Sequence, residues 1–144
     1  ESTPLLADSR TSAPAQTVTS SQPSNVGAYN SGRSHFESFN YNGCIESMSN
    51  VLSTNSNSPL ADNAQYWIGE SYFGLKQYQK AILEFQKVFS FNATDKYDDA
   101  QLMIGLCYVR LGQGETARST FGEFLQTYEG SEYRSVAQRY YQNI

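Results

Sequence analysis

The stretch NAQYWIGESYFGLKQYQKAILEFQKV, residues 63–88, decides the fold, because small and aromatic residues recur in it at the spacings of two packed helices. Gly69 is followed twelve residues later by Ala81. The same spacing begins again at Gly105 and, in weaker form, at Gly32, so the pattern repeats about every 36 residues. A repeat of this length predicts a helical solenoid.

Each repeat is predicted to form two helices, A and B, that cross at the small residues. Gly69 and Ala81 are expected to face each other there, because small side chains let two helix backbones come within packing distance. Aromatic residues such as Phe85 are expected to fill the space beside them. The sequence therefore predicts an all-α fold in which helical hairpins stack along the chain.

Capping and turn residues mark the helix boundaries. Hydroxyl residues followed by Pro or an acidic residue predict three helix N-caps at Ser58, Thr94 and Ser131. Polar or glycine-containing stretches predict the turns between helices A and B at residues 40–43, 76–77 and 112–114.

These residues resemble the tetratricopeptide repeat family, in which small and aromatic residues hold fixed positions in each helical hairpin. The matching residues are Gly69, Tyr72, Ala81, Phe85 and Val88; Gly105, Tyr108, Ala117, Phe121 and Phe124; and Gly32, His35, Cys44, Met48 and Val51. Residues 58–88, followed by DDAQLMIGLCYVRLG at 98–112, are similar to the C-terminal repeat domain of the periplasmic cell-division coordinator family associated with the Tol-Pal system. That resemblance implies an exported, envelope-associated, non-enzymatic scaffold.

The predicted fold class is an all-α, tetratricopeptide-type solenoid of three repeats with a C-terminal capping helix and an extended N-terminal tail. The predicted boundaries are a tail at 1–25, repeats at 26–57, 58–93 and 94–130, and a capping helix at 131–144 that covers helix B of the third repeat. The tail is rich in Ser, Thr and Pro, a composition that does not bury enough apolar surface to fold alone. Its apolar residues that could anchor an assembly are Leu5, Leu6 and Val18.

The composition argues against nucleic-acid binding and against a membrane-spanning helix. The net charge is -4 and the ten Lys and Arg residues are scattered, which argues against nucleic-acid binding. No run of eighteen apolar residues is present, so the sequence does not predict a membrane-spanning helix.

The sequence begins at Glu1 rather than Met, which indicates removal of preceding residues by an exporting signal peptidase or during preparation of the protein. A periplasmic or extracellular location is expected.

The A helices are expected to line a concave groove that binds a partner. The predicted groove residues are Tyr29, Arg33, Phe36, Tyr66, Glu70, Phe73, Leu102, Leu106, Val109 and Arg110. Such a surface, apolar and aromatic with few charges, favours an extended, partly apolar peptide or a neighbouring helix. The alternative is that Tyr29, Tyr66 and Leu102 belong in part to the core between repeats.

No catalytic, cofactor or metal site is predicted. His35 lacks Cys or Asp neighbours at ligand or triad spacing and is interpreted as a core histidine. Cys44 and Cys107 are interpreted as buried small apolar residues without a disulfide. The acidic cluster at residues 95–99 lacks the Gly and closing Glu of a calcium loop, so helix capping explains it. An enzyme is therefore not predicted.

Two functions remain open. The first is a protein-binding scaffold of the cell envelope or extracellular space, without cofactors. The alternative is a subunit of an extracellular homopolymeric filament, in which the tail docks on the neighbouring subunit, since head-to-tail contacts that do not close build filaments. Possible glycosylation sites are Asn92 in the sequon Asn92-Ala93-Thr94, and Thr17, Thr19 and Ser20 in the tail.

Overall fold

The computed structural model describes residues 23–54 and 57–144, and in these residues it contains seven α-helices and no strand, which confirms the predicted all-α solenoid. Residues 1–22 of the predicted extended tail lie outside the described residues. The helices are α1 Pro23–Glu37, α2 Tyr41–Thr54, α3 Ala61–Gly74, α4 Tyr78–Val88, α5 Tyr97–Arg110, α6 Gly114–Thr127 and α7 Arg134–Asn143. Helix α1 begins inside the range assigned to the tail.

The helices pack in chain order, as a solenoid requires. Each helix contacts the next one along the chain, and the A helices α1, α3 and α5 also contact one another in sequence. Helix α7 packs on α6, in the position predicted for a capping helix. The core runs continuously through all three hairpins and includes Met48, Phe85 and Phe121, which have no exposed surface.

The glycines at the helix crossings face long side chains. A Cβ atom on Gly69 would lie 2.6 Å from the ring of Phe85, and one on Gly105 would lie 2.7 Å from the ring of Phe121. The atoms nearest each glycine thus belong to the residue sixteen positions later, and not to the small residue twelve positions later. The ring of Phe85 fills the space that the missing side chain of Gly69 leaves, as expected for an aromatic residue beside the crossing, and the facing of Gly69 and Ala81 stays a prediction.

The three turns between A and B helices share one backbone geometry. A single residue in each turn has a left-handed conformation, with φ of 61° at Phe39, 60° at Lys76 and 73° at Gly112. The following amide then donates back to a carbonyl five residues earlier, as from Asn40 to His35 at 2.8 Å, which is the Schellman pattern of a helix C-terminus.

The first turn lies nearer the N-terminus than the predicted residues 40–43. It lies between the end of α1 at Glu37 and the start of α2 at Tyr41, and Gly43 is inside α2. Glycine is the usual left-handed residue in such turns, so the turn was predicted to include Gly43. The residue with the left-handed conformation is instead Phe39.

Replacing Phe39 with Gly is expected to stabilise the protein by about 0.5 to 1 kcal/mol. The left-handed conformation costs a residue with a side chain about 1 to 2 kcal/mol, and the added freedom of glycine in the unfolded chain offsets about 0.4 to 1 kcal/mol of the gain. Urea denaturation measures the change. Gly112→Ala is the converse control and should lose a similar amount; a Phe39→Gly variant less stable than the parent would contradict the prediction.

The helix starts also differ from prediction. The hydroxyl oxygens of Ser58, Thr94 and Ser131 accept hydrogen bonds from the backbone amides two residues later, at 3.0 to 3.2 Å. The helices begin one residue after those amides, at Ala61, Tyr97 and Arg134, so the predicted N-cap positions were wrong by two residues. The hydroxyl groups instead fix the turn that leads into each helix.

Candidate functional site

The concave face is built where α3 lies between α1 and α5. The guanidinium of Arg33 on α1 lies 4.4 Å from the centre of the Trp67 ring, and that of Arg110 on α5 lies 5.8 Å from the centre of Phe73. Trp67 Nε1 also donates a hydrogen bond to the Tyr29 hydroxyl at 3.2 Å. Cations of the outer helices therefore flank aromatic rings of the central one, a favourable electrostatic arrangement.

Most of the predicted groove residues are buried. The buried members are Tyr29, Phe36, Tyr66, Glu70, Phe73, Leu102 and Leu106. The burial of Tyr29, Tyr66 and Leu102 supports the alternative that they belong to the core between repeats. Arg33 and Val109 are half-buried and Arg110 is exposed, so these three form the accessible part of the predicted set. Partner binding by any of the ten stays a prediction.

A buried carboxylate lies at the middle of α3. Glu70 has no exposed surface, and its Oε1 accepts a hydrogen bond from the Tyr66 hydroxyl at 2.5 Å. The ammonium group of Lys96 lies 5.5 Å from the centre of the Tyr66 ring. Burial first, and then the negative charge of Glu70, raises the pKa of Tyr41. The floor of the groove thus combines apolar packing with a carboxyl group that the Tyr66 hydroxyl holds in place.

The two cysteines are buried and free, as the sequence predicted. Burial, followed by the charge of Glu70, strongly raises the pKa of the Cys107 thiol. Burial also raises the pKa of Cys44, against smaller lowering effects of a hydrogen bond with Ser71 and the charge of Arg33. Both thiols therefore remain protonated at neutral pH, whereas nucleophilic chemistry requires the thiolate.

His35 is not a core residue. It is half-exposed near the end of α1, and its Nδ1 lies 3.2 Å from the side-chain amide nitrogen of Asn40. The interpretation of His35 as a core histidine was wrong, because this position near the end of an A helix is only half-buried, as it also is at Tyr72 and Tyr108.

The structure adds a pocket that the sequence reasoning missed. It has a volume of about 340 Å³ and lies between the end of α5 and α7; Val109, Arg139, Tyr140, Asn143 and Ile144 line it. A signal existed in the sequence, because Arg139 and Asn143 stand 37 residues after Leu102 and Leu106, which are predicted groove residues. Helix α7 therefore continues the register of the A helices and is more than a cap.

Several predicted sites stay untested. Asn92 is exposed in the connection between α4 and α5, and its modification remains a prediction. Leu5, Leu6, Thr17, Val18, Thr19 and Ser20 lie outside the described residues. None of the helices in the described ranges has the length and apolar character needed to cross a membrane.

Comparisons with known proteins agree on the repeat. The tetratricopeptide repeat family model matches residues 63–90 and 99–131. Tetratricopeptide repeat protein 1 of Schizosaccharomyces pombe is 29% identical over 82 residues, which are 57% of this chain but only 8% of that protein. The chain thus spans a small part of this relative.

Solved structures share the fold at low sequence identity. The tetratricopeptide repeat domain of Arabidopsis OM64 has a TM-score of 0.68 at 16% identity, covering 84% of this chain and 97% of that domain. The second such domain of human RPAP3, solved with the HSP70 peptide SGPTIEEVD, has a TM-score of 0.64 at 15% identity, covering 83% and 96%. MamA has a TM-score of 0.61 at 24% identity, covering 83% and 76%.

Proposed function

We propose that the chain, in which residues 63–90 and 99–131 match the tetratricopeptide repeat family model, is a non-enzymatic scaffold that binds a segment of another protein along the concave face of α1, α3 and α5. The observation that carries the proposal is the row of cations and aromatic rings on this face, with Arg33, Val109 and Arg110 accessible above a buried floor. Aromatic residues and Arg are enriched at protein interfaces.

A related fold supports this binding mode. The RPAP3 domain, which shares the fold, was solved with an HSP70 peptide. In this chain Arg33 and Arg110 lie on either side of α3. Arg110 is exposed, whereas Arg33 keeps 17% of its side chain exposed and lies 4.0 Å from the Glu37 carboxylate, so a segment that crosses the A helices would meet Arg110 first and Arg33 at its edge. A partly apolar segment with acidic residues suits this face, since opposite charges across an interface favour association.

Site-specific photo-crosslinking tests the proposal. A photoreactive phenylalanine analogue at Val109 should crosslink a partner from the native source, because Val109 lies on the concave side of α5. The same analogue at Leu83, which is 59% exposed on the B helix α4, is the matched control and should not crosslink that partner. Equal crosslinking from both positions would show that the concave face is not the binding surface.

Alanine variants of Tyr66 and Phe73 are poor probes of binding. Both side chains are at most 2% exposed, and truncation of a buried aromatic residue costs about 3 to 5 kcal/mol of stability. Loss of partner capture in such variants would report unfolding rather than a lost contact.

We also propose that the protein acts outside the cytoplasm, in the periplasm or the extracellular space. The support is the Ser/Thr/Pro-rich composition of residues 1–25 and the resemblance of residues 58–112 to an exported repeat domain. Fractionation of the native source, with detection by an antibody, tests the location. Recovery of the protein in the cytoplasmic fraction alone would refute it.

The second candidate function is an extracellular homopolymeric filament. It is favoured by the pocket at the end of the concave face, next to α7, which gives a neighbouring copy a place to bind. Light scattering and electron microscopy of the native material would show polymers that are lost when residues 1–22 are deleted. A monomeric full-length chain at high concentration would exclude the filament.

A further inference from the structure

The pocket between α5 and α7 has preformed walls. The ring of Tyr140 stacks on that of Phe121 at 5.1 Å, with 12° between the ring planes, and Phe121 is completely buried. Its neighbour Tyr141 lies under the guanidinium of Arg118 at 4.3 Å. These contacts hold α7 on α6, so a ligand would meet a surface that is already ordered, and little ordering cost would oppose binding.

The apolar part of the pocket is suited to one side chain. Val109, Tyr140 and Ile144 supply its apolar walls, and Ile144 keeps 39% of its surface exposed. The volume of about 340 Å³ lies near the lower end of the range of roughly 300 to 1,000 Å³ for ligand sites. An aliphatic or aromatic side chain would bury apolar surface there without moving the helix.

The rim of the pocket carries a free positive charge. Arg139 is exposed and forms no ion pair, hydrogen bond or ring contact through its guanidinium with any described residue. Helix α7 contains two Arg residues and no Asp or Glu, although the whole chain has a net charge of -4. Arg134 already donates to the carbonyl oxygen of Leu125 at 3.0 Å, which leaves Arg139 as the cation of α7 available to a ligand.

Resting on the proposed function, we infer that this pocket binds a partner segment in which an aliphatic or aromatic residue is followed or preceded, two positions away, by Asp or Glu. The apolar side chain enters between Val109, Tyr140 and Ile144, and the carboxylate pairs with Arg139. Residues two apart in an extended segment point to the same side and lie about 7 Å apart, which fits an apolar site with a cation at its rim. Asn143 donates from Nδ2 to the Arg139 carbonyl at 2.8 Å. Its amide oxygen accepts no hydrogen bond from the part of the chain that the structure describes, so it can accept one from a backbone amide of the segment.

Selection from a phage-displayed library of random 12-residue peptides on the intact chain tests this inference. Enriched peptides should share the apolar and acidic residues at this spacing. Fluorescence polarisation with a selected peptide should show that Arg139→Gln weakens binding about two- to fivefold, as expected for an exposed ion pair. Replacement of the peptide's acid by its amide should cause the same loss in the parent chain and no further loss in Arg139→Gln. Lys76→Gln, which removes an exposed cation from the turn between α3 and α4, should leave the affinity unchanged.

The other outcomes separate this inference from the proposed function. Peptides whose affinity falls with Arg33→Gln but not with Arg139→Gln would overturn the pocket and leave the concave face as the binding surface. Selection of no peptide that depends on Arg139 would overturn the pocket but not the scaffold. Crosslinking from Arg110, which lies 5.8 Å from the centre of Phe73 and does not line the pocket, tests the scaffold independently. Enriched peptides that match this chain's own sequence would overturn the assignment to a different protein and indicate a second copy.

Discussion

Replacing Phe85 with Ala is expected to lower the free energy of unfolding by about 3 to 5 kcal/mol. Phe85 has no exposed surface; its ring covers Gly69 and lies 5.5 Å from the ring of Tyr66. Truncation would open a cavity between α3 and α4 and remove contacts from both helices at once. Since domains of this size have a total stability of about 5 to 15 kcal/mol, the variant should lose at least about a fifth of its stability and unfold at a clearly lower urea concentration.

Urea denaturation followed by circular dichroism measures this loss. The matched control is Leu83→Ala on the same helix, where 59% of the side chain is exposed, and it should change the stability by no more than about 0.5 kcal/mol. A similar cost for both variants would mean that helix propensity, and not packing at the helix crossing, determines the stability of α4.

The repeats could be predicted because their signal is local. Small and large residues of one hairpin, such as Gly69 and Phe85, are close in sequence. They fit together within the hairpin, and this fit does not depend on the neighbouring repeats. The positions of Gly105 and Phe121 repeat that fit. The sequence therefore predicts the hairpins, their number and their order.

The groove was harder to predict because it depends on contacts between repeats. Tyr66 and Leu102 are fully buried, and whether such A-helix residues are covered depends on how closely α1, α3 and α5 approach, which no spacing within one repeat determines. The turn at Phe39 was missed for a different reason. A left-handed aromatic residue is uncommon, so residue type alone gives no signal for it.

The pocket at α7 was not predicted, because the last helix was interpreted as a capping helix from its position at the end of the repeats. A helix that ends a solenoid is usually read as a cap with a polar outer face. The register of Ala137, which is buried and lies 37 residues after Ala100, shows that α7 is an A helix with a concave side of its own. Applying the repeat spacing to residues 134–144 would have identified Arg139 and Asn143 as groove residues.

Replacing Gly69 or Gly105 with Ala is expected to destabilise the protein by about 1 to 3 kcal/mol, although Ala favours a helix over Gly by about 1 kcal/mol. The new Cβ would lie within 2.7 Å of the Phe85 or Phe121 ring, and a buried ring in a packed core has little room to move. Gly32→Ala should cost less, because the atom nearest its Cβ is the terminal methyl of Met48, a flexible side chain.

Two comparisons show whether the clash is the cause. Gly27 on α1 has no atom within 4 Å of a Cβ, so Gly27→Ala should stabilise the protein by about 0.5 to 1 kcal/mol. In a Phe85→Leu background, which removes the ring but keeps an apolar side chain, the cost of Gly69→Ala should fall by at least about 1 kcal/mol if the two residues are coupled. An unchanged cost in that background would mean that Gly69 is needed for a reason other than the ring above it. Urea denaturation of the four variants of the cycle decides between these results, because residues in contact show non-additive effects and distant residues do not.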